Sequence, residues 1–307
     1  MTVLAFRGDQ GISEAGGGVG GMLLPRVGAH VSVAGGLDKA PARAVRQGCE
    51  TFQVFLGNPR GWAEPPADPT AEARFREEVA ALRLGPVFVH AAYLINLAST
   101  SELSWERSRA LLAATLERAA SSGVAGVVVH AGSHMGAGRA WGLARVREAL
   151  LPLLEKAGDS GPDLLLELTA GTRGALAARF EEMAELLAAC DHHPRLKVCM
   201  DTAHAHAAGY DLSQAAGAAA ALDELSAAIG DRLALVHAND SAVPLGACRD
   251  HHANVGAGTI GADGFAAMLA HPTLAGLPVL VETPGSDDDR AADVALLKSL
   301  RPPDQAR

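Results

Sequence analysis

From Arg26 onward, short and nearly continuous apolar runs recur along the chain: RVGAH ending at His30, TFQVF at Phe55, PVFVH at His90, GVVVH at His130, DLLLE at Glu167, KVCMD at Asp201, LALVH at His237 and PVLVE at Glu282. Their ends lie 25 to 45 residues apart, close to the roughly 30 or more residues of a β-α-β unit. A run that is apolar throughout, instead of alternating, is buried on both faces, as in a parallel sheet covered by helices. Helical stretches such as ELSWERSRALLAATLERAASSG and ARFEEMAELLAAC fill the gaps. Eight such units in alternation predict an α/β fold, a closed (β/α)₈ TIM barrel. Residues 1–25, with their AGGGVGG stretch, carry no sustained helix or strand period and are expected to be a flexible extension. Residues 26–307 are expected to form a single domain.

The polar residues that close the runs change the picture from fold to chemistry. Seven of the eight ends are His, Asp or Glu, although the chain has 12 His and 35 Asp and Glu among 307 residues, so chance gives roughly one such end in eight. Ser, Thr, Asn, Lys and Arg are absent there. In a parallel barrel the carboxyl ends of the strands surround one cleft, so the rim has the composition of a metal site. Imidazole with carboxylate suits Zn²⁺, and also Mn²⁺ or Fe²⁺. Two local clusters extend the set: His204 follows Asp201 by three residues in DTAHAHAAGYDL, and Asp250 and His252 stand two apart in DHHANVG. In an extended turn, side chains at i and i+2 point the same way, so the second cluster is expected to converge on one ion.

Composition narrows the function classes. Hydrophobic residues make up 49% and aromatic residues only 4%, so the core is expected to be built from Ala, Val and Leu. No apolar run approaches the roughly 18 residues of a membrane helix, and no basic, apolar and small-residue leader pattern opens the chain. Cys49, Cys190, Cys199 and Cys248 form no C-x-x-C pair. A cytoplasmic protein is expected. With no G-x-S-x-G elbow, and with the cysteines expected to sit away from the chemistry, a Ser or Cys nucleophile is excluded. The net charge of −9 is unfavourable for a phosphate-binding protein, but three bound divalent ions would bring it to about −3 and concentrate positive charge in the cleft.

Taken in order, GAHVSVAGGL, GNPRGW, HAAYLINLAS, HAGSH, LLLELTAG, CMDTAHAHAAGYDL, VHANDS, DHHANVGAGTIG and LVETP resemble the successive signatures of the endonuclease IV family, from Gly28 to Pro284. The resemblance implies a zinc-dependent DNA repair enzyme that cuts 5′ to an abasic site. It would leave a 3′-hydroxyl and a 5′-deoxyribose phosphate, and would also trim blocked 3′ ends. It implies three Zn²⁺ per chain, with Mn²⁺ acceptable at one position. His90, His130 and Glu167 would hold the first ion; Glu167, shared, with Asp201, His237 and Glu282 the second; and His204, Asp250 and His252 the third. Glu167 would also be the catalytic carboxylate. Arg60, Tyr93 and Leu94 would contact double-stranded DNA and enter the duplex where the abasic nucleotide has left the stack. A monomer with no membrane partner is implied.

Three positions depart from the family pattern: His251 in place of Arg, with Arg249 displaced to just before Asp250; Ala257 in place of an acidic residue; and Ala131 in place of Pro. These departures bear on phosphate contacts and loop rigidity. Two other readings compete: a metal-dependent sugar isomerase or epimerase on a related barrel, and a DNA-binding barrel whose metals are structural.

Overall fold

A computed structural model of the chain describes residues 23–158 and 161–303. Most of the expected extension, residues 1–22, therefore lies outside the described residues. The remainder is tied to the barrel: Gly276 N donates to the Leu23 carbonyl at 2.9 Å, and Arg301 donates to the Pro25 carbonyl at 3.0 Å.

Eight parallel strands close into a barrel: β1 (Arg26–His30), β2 (Thr51–Val54), β3 (Val87–His90), β4 (Gly126–His130), β5 (Asp163–Glu167), β6 (Leu196–Asp201), β7 (Leu233–His237) and β10 (Pro278–Val281). They are ordered β1-β10-β7-β6-β5-β4-β3-β2 around the cylinder, so sequence neighbours are spatial neighbours. Helices α1 (Ala40–Arg46), α2 (Pro69–Ala81), α3 (Glu102–Ser121), α4 (Arg139–Ala157), α5 (Phe180–Ala189), α7 (Ala215–Ile229), α8 (Gly261–Leu269) and α9 (Asp287–Leu300) connect them. Two additions interrupt the repeat on the carboxyl side. A short helix α6 (Thr202–Ala208) follows β6 at once, and a two-residue antiparallel ladder, β8 (Asp240–Ser241) with β9 (His252–Ala253), lies between β7 and β10. Phe55 and Glu282 stand one residue beyond their strands.

Local signals account for the helix starts. Ser101 accepts from Ser104 N at the start of α3, and Ser286 with Asp289 forms a capping box on α9, which satisfies N–H groups that have no partner within the helix. Helix α3 turns Trp105, Leu112 and Leu116 inward, and the Trp105 indole N–H donates to the Leu97 carbonyl at 2.9 Å. Among the described residues no helix is long and apolar enough to cross a membrane.

The barrel interior holds a separate buried layer of Phe88, Val128, Leu165, Cys199, Leu235 and Leu280, one from each of six strands. Burying each of its large apolar side chains contributes about 1.5–3 kcal/mol. On β1 and β2 the backbones meet too closely for a side chain, since a Cβ at Gly28 would stand 1.6 Å from the Thr51 carbonyl oxygen. Two positions further along each of the six strands the inward residue is His90, His130, Glu167, Asp201, His237 or Glu282, because side chains of one face recur every second residue. The apolar layer is thus the floor on which the polar rim stands.

Candidate metal centre

Glu167, at the end of β5, lies at the middle of the rim. Its Oε2 is 3.0 Å from His90 Nε2 and 2.9 Å from His130 Nε2, and its Oε1 is 2.9 Å from His237 Nδ1. His237 Nδ1 is also 3.2 Å from Glu282 Oε2, and Asp201 has a ligand atom within 4.8 Å of those of Glu167, His237 and Glu282. The remaining three residues form a neighbouring cluster: His204 Nε2 and His252 Nε2 lie 3.2 and 3.1 Å from the same Asp250 Oδ1. The structure therefore brings all nine expected ligand residues to one mouth of the barrel.

The spacing of Asp201 and His204 has a local cause. Asp201 caps α6 by accepting from His204 N at 2.9 Å, so the first helical turn sets the imidazole beside the carboxylate. Backbone acceptors then fix the imidazoles. His90 Nδ1–H donates to the Ala91 carbonyl at 2.7 Å and His204 Nδ1–H to the Leu168 carbonyl at 2.8 Å, so each Nε2 is the nitrogen that faces the cleft.

Charge is concentrated here, most of it away from solvent. Burial opposes protonation of His204 and His252, but for both the neighbouring carboxylates of Asp201 and Asp250 overturn it, raising them to about 10 and about 9. Burial favours neutral Asp250 and Glu167, yet the neighbouring imidazoles hold both carboxylates ionised well into acid: His204 and His252 act on Asp250, His130 and His237 on Glu167. His204 Nε2 and His252 Nε2 are buried, and neither makes a well-formed hydrogen bond despite the short distances to Asp250. Two ring nitrogens and a carboxylate oxygen thus converge on one point without satisfying one another. That is the arrangement a divalent cation completes, and nitrogen with oxygen donors suits Zn²⁺ or Mn²⁺.

The residues expected at the DNA border the same mouth. Tyr93 is 56% exposed, and its ring stands edge-on to His90 at 5.3 Å and to Phe55 at 5.4 Å. Its N–H donates to the Pro59 carbonyl at 2.9 Å, which joins this loop to the one carrying exposed Arg60. Tyr93 and half-buried Leu94 line a cleft of about 360 Å³ together with His130, His204 and Asp250. Of the departures, His251 and Ala257 are exposed on the loop around His252, whereas Ala131 is fully buried behind His130.

Several residues that reach the centre carried little or no signal in the sequence. Gln53 is fully buried; its amide N–H donates to Glu282 Oε1 at 2.6 Å, and its carbonyl oxygen is 3.1 Å from His237 Nε2. That carbonyl fixes the proton on Nε2 and leaves Nδ1 to face Glu167. The one polar residue inside an apolar run, TFQVF, was its trace. His30 Nδ1 lies 3.3 Å from Glu282 Oε1; it closes a run but belongs to no ligand set. Asn239 donates to Asp201 Oδ2 and accepts from Glu282 N, both at 2.7 Å. Cys199 corrects the expectation that the cysteines sit apart: its sulfur groups with Glu167 and His237 ligand atoms within 4.8 Å. Because it stands two residues before Asp201, it points into the floor of the same cleft, where burial pushes its thiol up to about 12. Protonated at neutral pH, it remains a poor nucleophile.

Gln53→Leu removes the partner that fixes His237, and the variant is expected to bind zinc about 10- to 100-fold more weakly. A chelator competition titration reads this; wild-type affinity would show that Gln53 does not orient His237.

Comparison with known proteins agrees with this geometry. The family described as the xylose isomerase-like TIM barrel matches residues 41–301. A protein of Streptomyces avermitilis named probable endonuclease 4 is 46% identical, the match covering 92% of each chain. The solved structure of endonuclease IV from Thermus thermophilus is 40% identical with a TM-score of 0.81, over 90% of this chain and 98% of that one. A D-tagatose 3-epimerase-like structure, at 20% identity and TM-score 0.69 over 90% of this chain and 96% of that one, shares the fold alone. The likeness that extends to sequence over nearly the whole chain is to the nucleases and not to the sugar enzymes, and by that measure the chain belongs to the endonuclease IV family of AP endonucleases.

Proposed function

We propose that this AP endonuclease is zinc-dependent and hydrolyses the phosphodiester 5′ to an abasic site in double-stranded DNA, leaving a 3′-hydroxyl and a 5′-deoxyribose phosphate, and that it also trims blocked 3′ ends. The observation that carries the reading is the convergence of five imidazoles and three further carboxylates about Glu167. His90, His130 and Glu167 would hold one ion, Glu167, Asp201, His237 and Glu282 a second, and His204, Asp250 and His252 a third; Mn²⁺ fits one of these positions as well. Divalent ions held there would supply a hydroxide at neutral pH and would offset the charge of the phosphate oxygens and the departing alkoxide.

The chain's own groups do the rest. Tyr93 and Leu94 line a cleft together with His130, His204 and Asp250, and Arg60 follows Pro59, whose carbonyl accepts from Tyr93 N. A nucleotide that has lost its base costs less to extrude than an intact one, and side-chain wedges fill the gap it leaves. Past Tyr93, its phosphate arrives against the imidazoles and carboxylates of the rim. Within a chain of charge −9, the loaded centre is what draws DNA phosphate to this mouth. The reading takes residues 26–307 as the catalytic domain, residues 1–25 as an extension, and the enzyme as a cytoplasmic monomer.

Purified protein loaded with zinc is expected to nick a synthetic duplex at a single abasic residue and to contain three zinc ions per chain by elemental analysis. A fully loaded preparation that leaves the abasic strand intact overturns the assignment.

A further inference from the structure

After His252 the chain reads Gly256-Ala257-Gly258-Thr259-Ile260-Gly261, a G-x-G-x-x-G spacing that opens α8. Loops of this kind turn successive backbone N–H groups toward an external phosphate in nucleotide-binding folds. Here the cradle is filled from within. Asp240, with no exposed surface, accepts from Ser241 N at 2.8 Å and Ile260 N at 2.9 Å through Oδ1. Its Oδ2 accepts from Gly256 N at 2.9 Å and from Gly258 N and Gly261 N at 3.1 Å each. The glycines are what the geometry demands: Gly256 and Gly261 have φ of +80° and +73°, and a Cβ at Gly258 would stand 2.4 Å from Asp240 Oδ1.

Asp240 belongs to none of the proposed ligand sets, yet its two chain neighbours reach them. The residue before it, Asn239, joins Asp201 to the backbone of Glu282. The β8–β9 ladder sets Ser241 opposite His252 and Asp240 opposite Ala253. Between His252 and the cradle, Asp293 of α9 accepts from Val255 N at 3.0 Å and from Asn254 Nδ2 at 2.9 Å. Asp250 itself is 54% exposed and its immediate neighbours 249 and 251 are exposed, so packing from its own side contributes little to its position.

We propose that Asp240 is a positioning residue: by occupying the glycine cradle in place of an external anion, its carboxylate sets the loop that presents Asp250 and His252 to His204. The inference rests on the reading that these three residues hold an ion.

Asp240→Asn keeps the shape and replaces one acceptor oxygen with an NH₂ group that faces N–H donors. After zinc loading, wild type is expected to hold three ions and the variant two. Its kcat on an abasic duplex is expected to fall about 100-fold, with KM within about threefold. In hydrogen exchange the amides of residues 254–261 are expected to lose protection while those of the barrel strands keep it. Gly258→Ala disrupts the same contact without removing the charge and gives the same readings if Asp240→Asn fails to fold. A variant with the wild-type zinc count and kcat, changed only in melting temperature, overturns the proposal. A wild type holding fewer than three ions overturns the three-ion reading instead; hydrogen exchange on the metal-free proteins then decides for Asp240, and unchanged protection of residues 254–261 overturns it.

Discussion

Glu167→Gln is expected to lower single-turnover cleavage of an abasic duplex by on the order of 10³-fold or more, with the far-UV circular dichroism of the barrel retained. Glutamine has nearly the same volume, but its amide puts a hydrogen-bond donor where an oxygen now faces two imidazoles or a third. Glu167 is 1% exposed and touches His90, His130 and His237, so no water replaces the lost charge. Two of the proposed ion positions share this one carboxylate, so the loss extends to both. The variant also separates an enzyme from a barrel with structural metals: retained DNA binding with lost cleavage marks catalysis. Cleavage within about tenfold of wild type by a metal-loaded variant would remove Glu167 from the centre of the mechanism.

Removing the metal is the second large effect. Prolonged chelation is expected to abolish cleavage and to lower the melting temperature by roughly 10 °C or more, since each ion held at a thousand times its Kd contributes about 4 kcal/mol and a large domain shifts by about 2 °C or more per kcal/mol. Zinc is expected to restore both. The pH profiles of the two forms should converge toward acid and separate toward alkali. In the metal-free protein His204 and His252 are raised to about 10 and about 9 from 6.5; raised values favour the fold fully below the unfolded value and lose that contribution as pH rises through 9 to 10. In the loaded protein, protons compete with metal for the same nitrogens, so stability falls toward acid. Calorimetry of both forms between pH 5 and 10 reads the difference. Parallel profiles would mean that no ion binds at His204 and His252.

The fold was legible because a strand buried on both faces has to be apolar along its length, and eight such runs at β-α-β spacing leave few alternatives to a closed barrel. The rim was legible for a related reason. A His, Asp or Glu that ends an apolar run, such as His90 or Glu282, is placed by the two-residue period at the mouth, one step above the apolar floor. The i,i+3 pair of Asp201 and His204 could be read as a clamp, although the cause, a helix cap, emerged only from the backbone.

Other features depend on elements far apart in sequence. Gln53 and His237 meet only because closure of the barrel brings β2 within three strands of β7, and a lone glutamine in an apolar run gives no sign of its partner. Cys199 reads as remote from the chemistry until strand β6 is seen to turn it into the floor beneath Glu167. Asp240 and the glycines of GAGTIG give no sign of each other in the sequence; the return of the chain after β9 brings one to the other.

Strand number, strand ends and the chemical character of the rim follow from periodicity, which acts between near neighbours and is written in the chain. Which nitrogen of each imidazole faces the cleft, and which carboxylate braces which loop, was decided by tertiary structure alone, because a hydrogen bond joins groups that only closure of the barrel brings within reach.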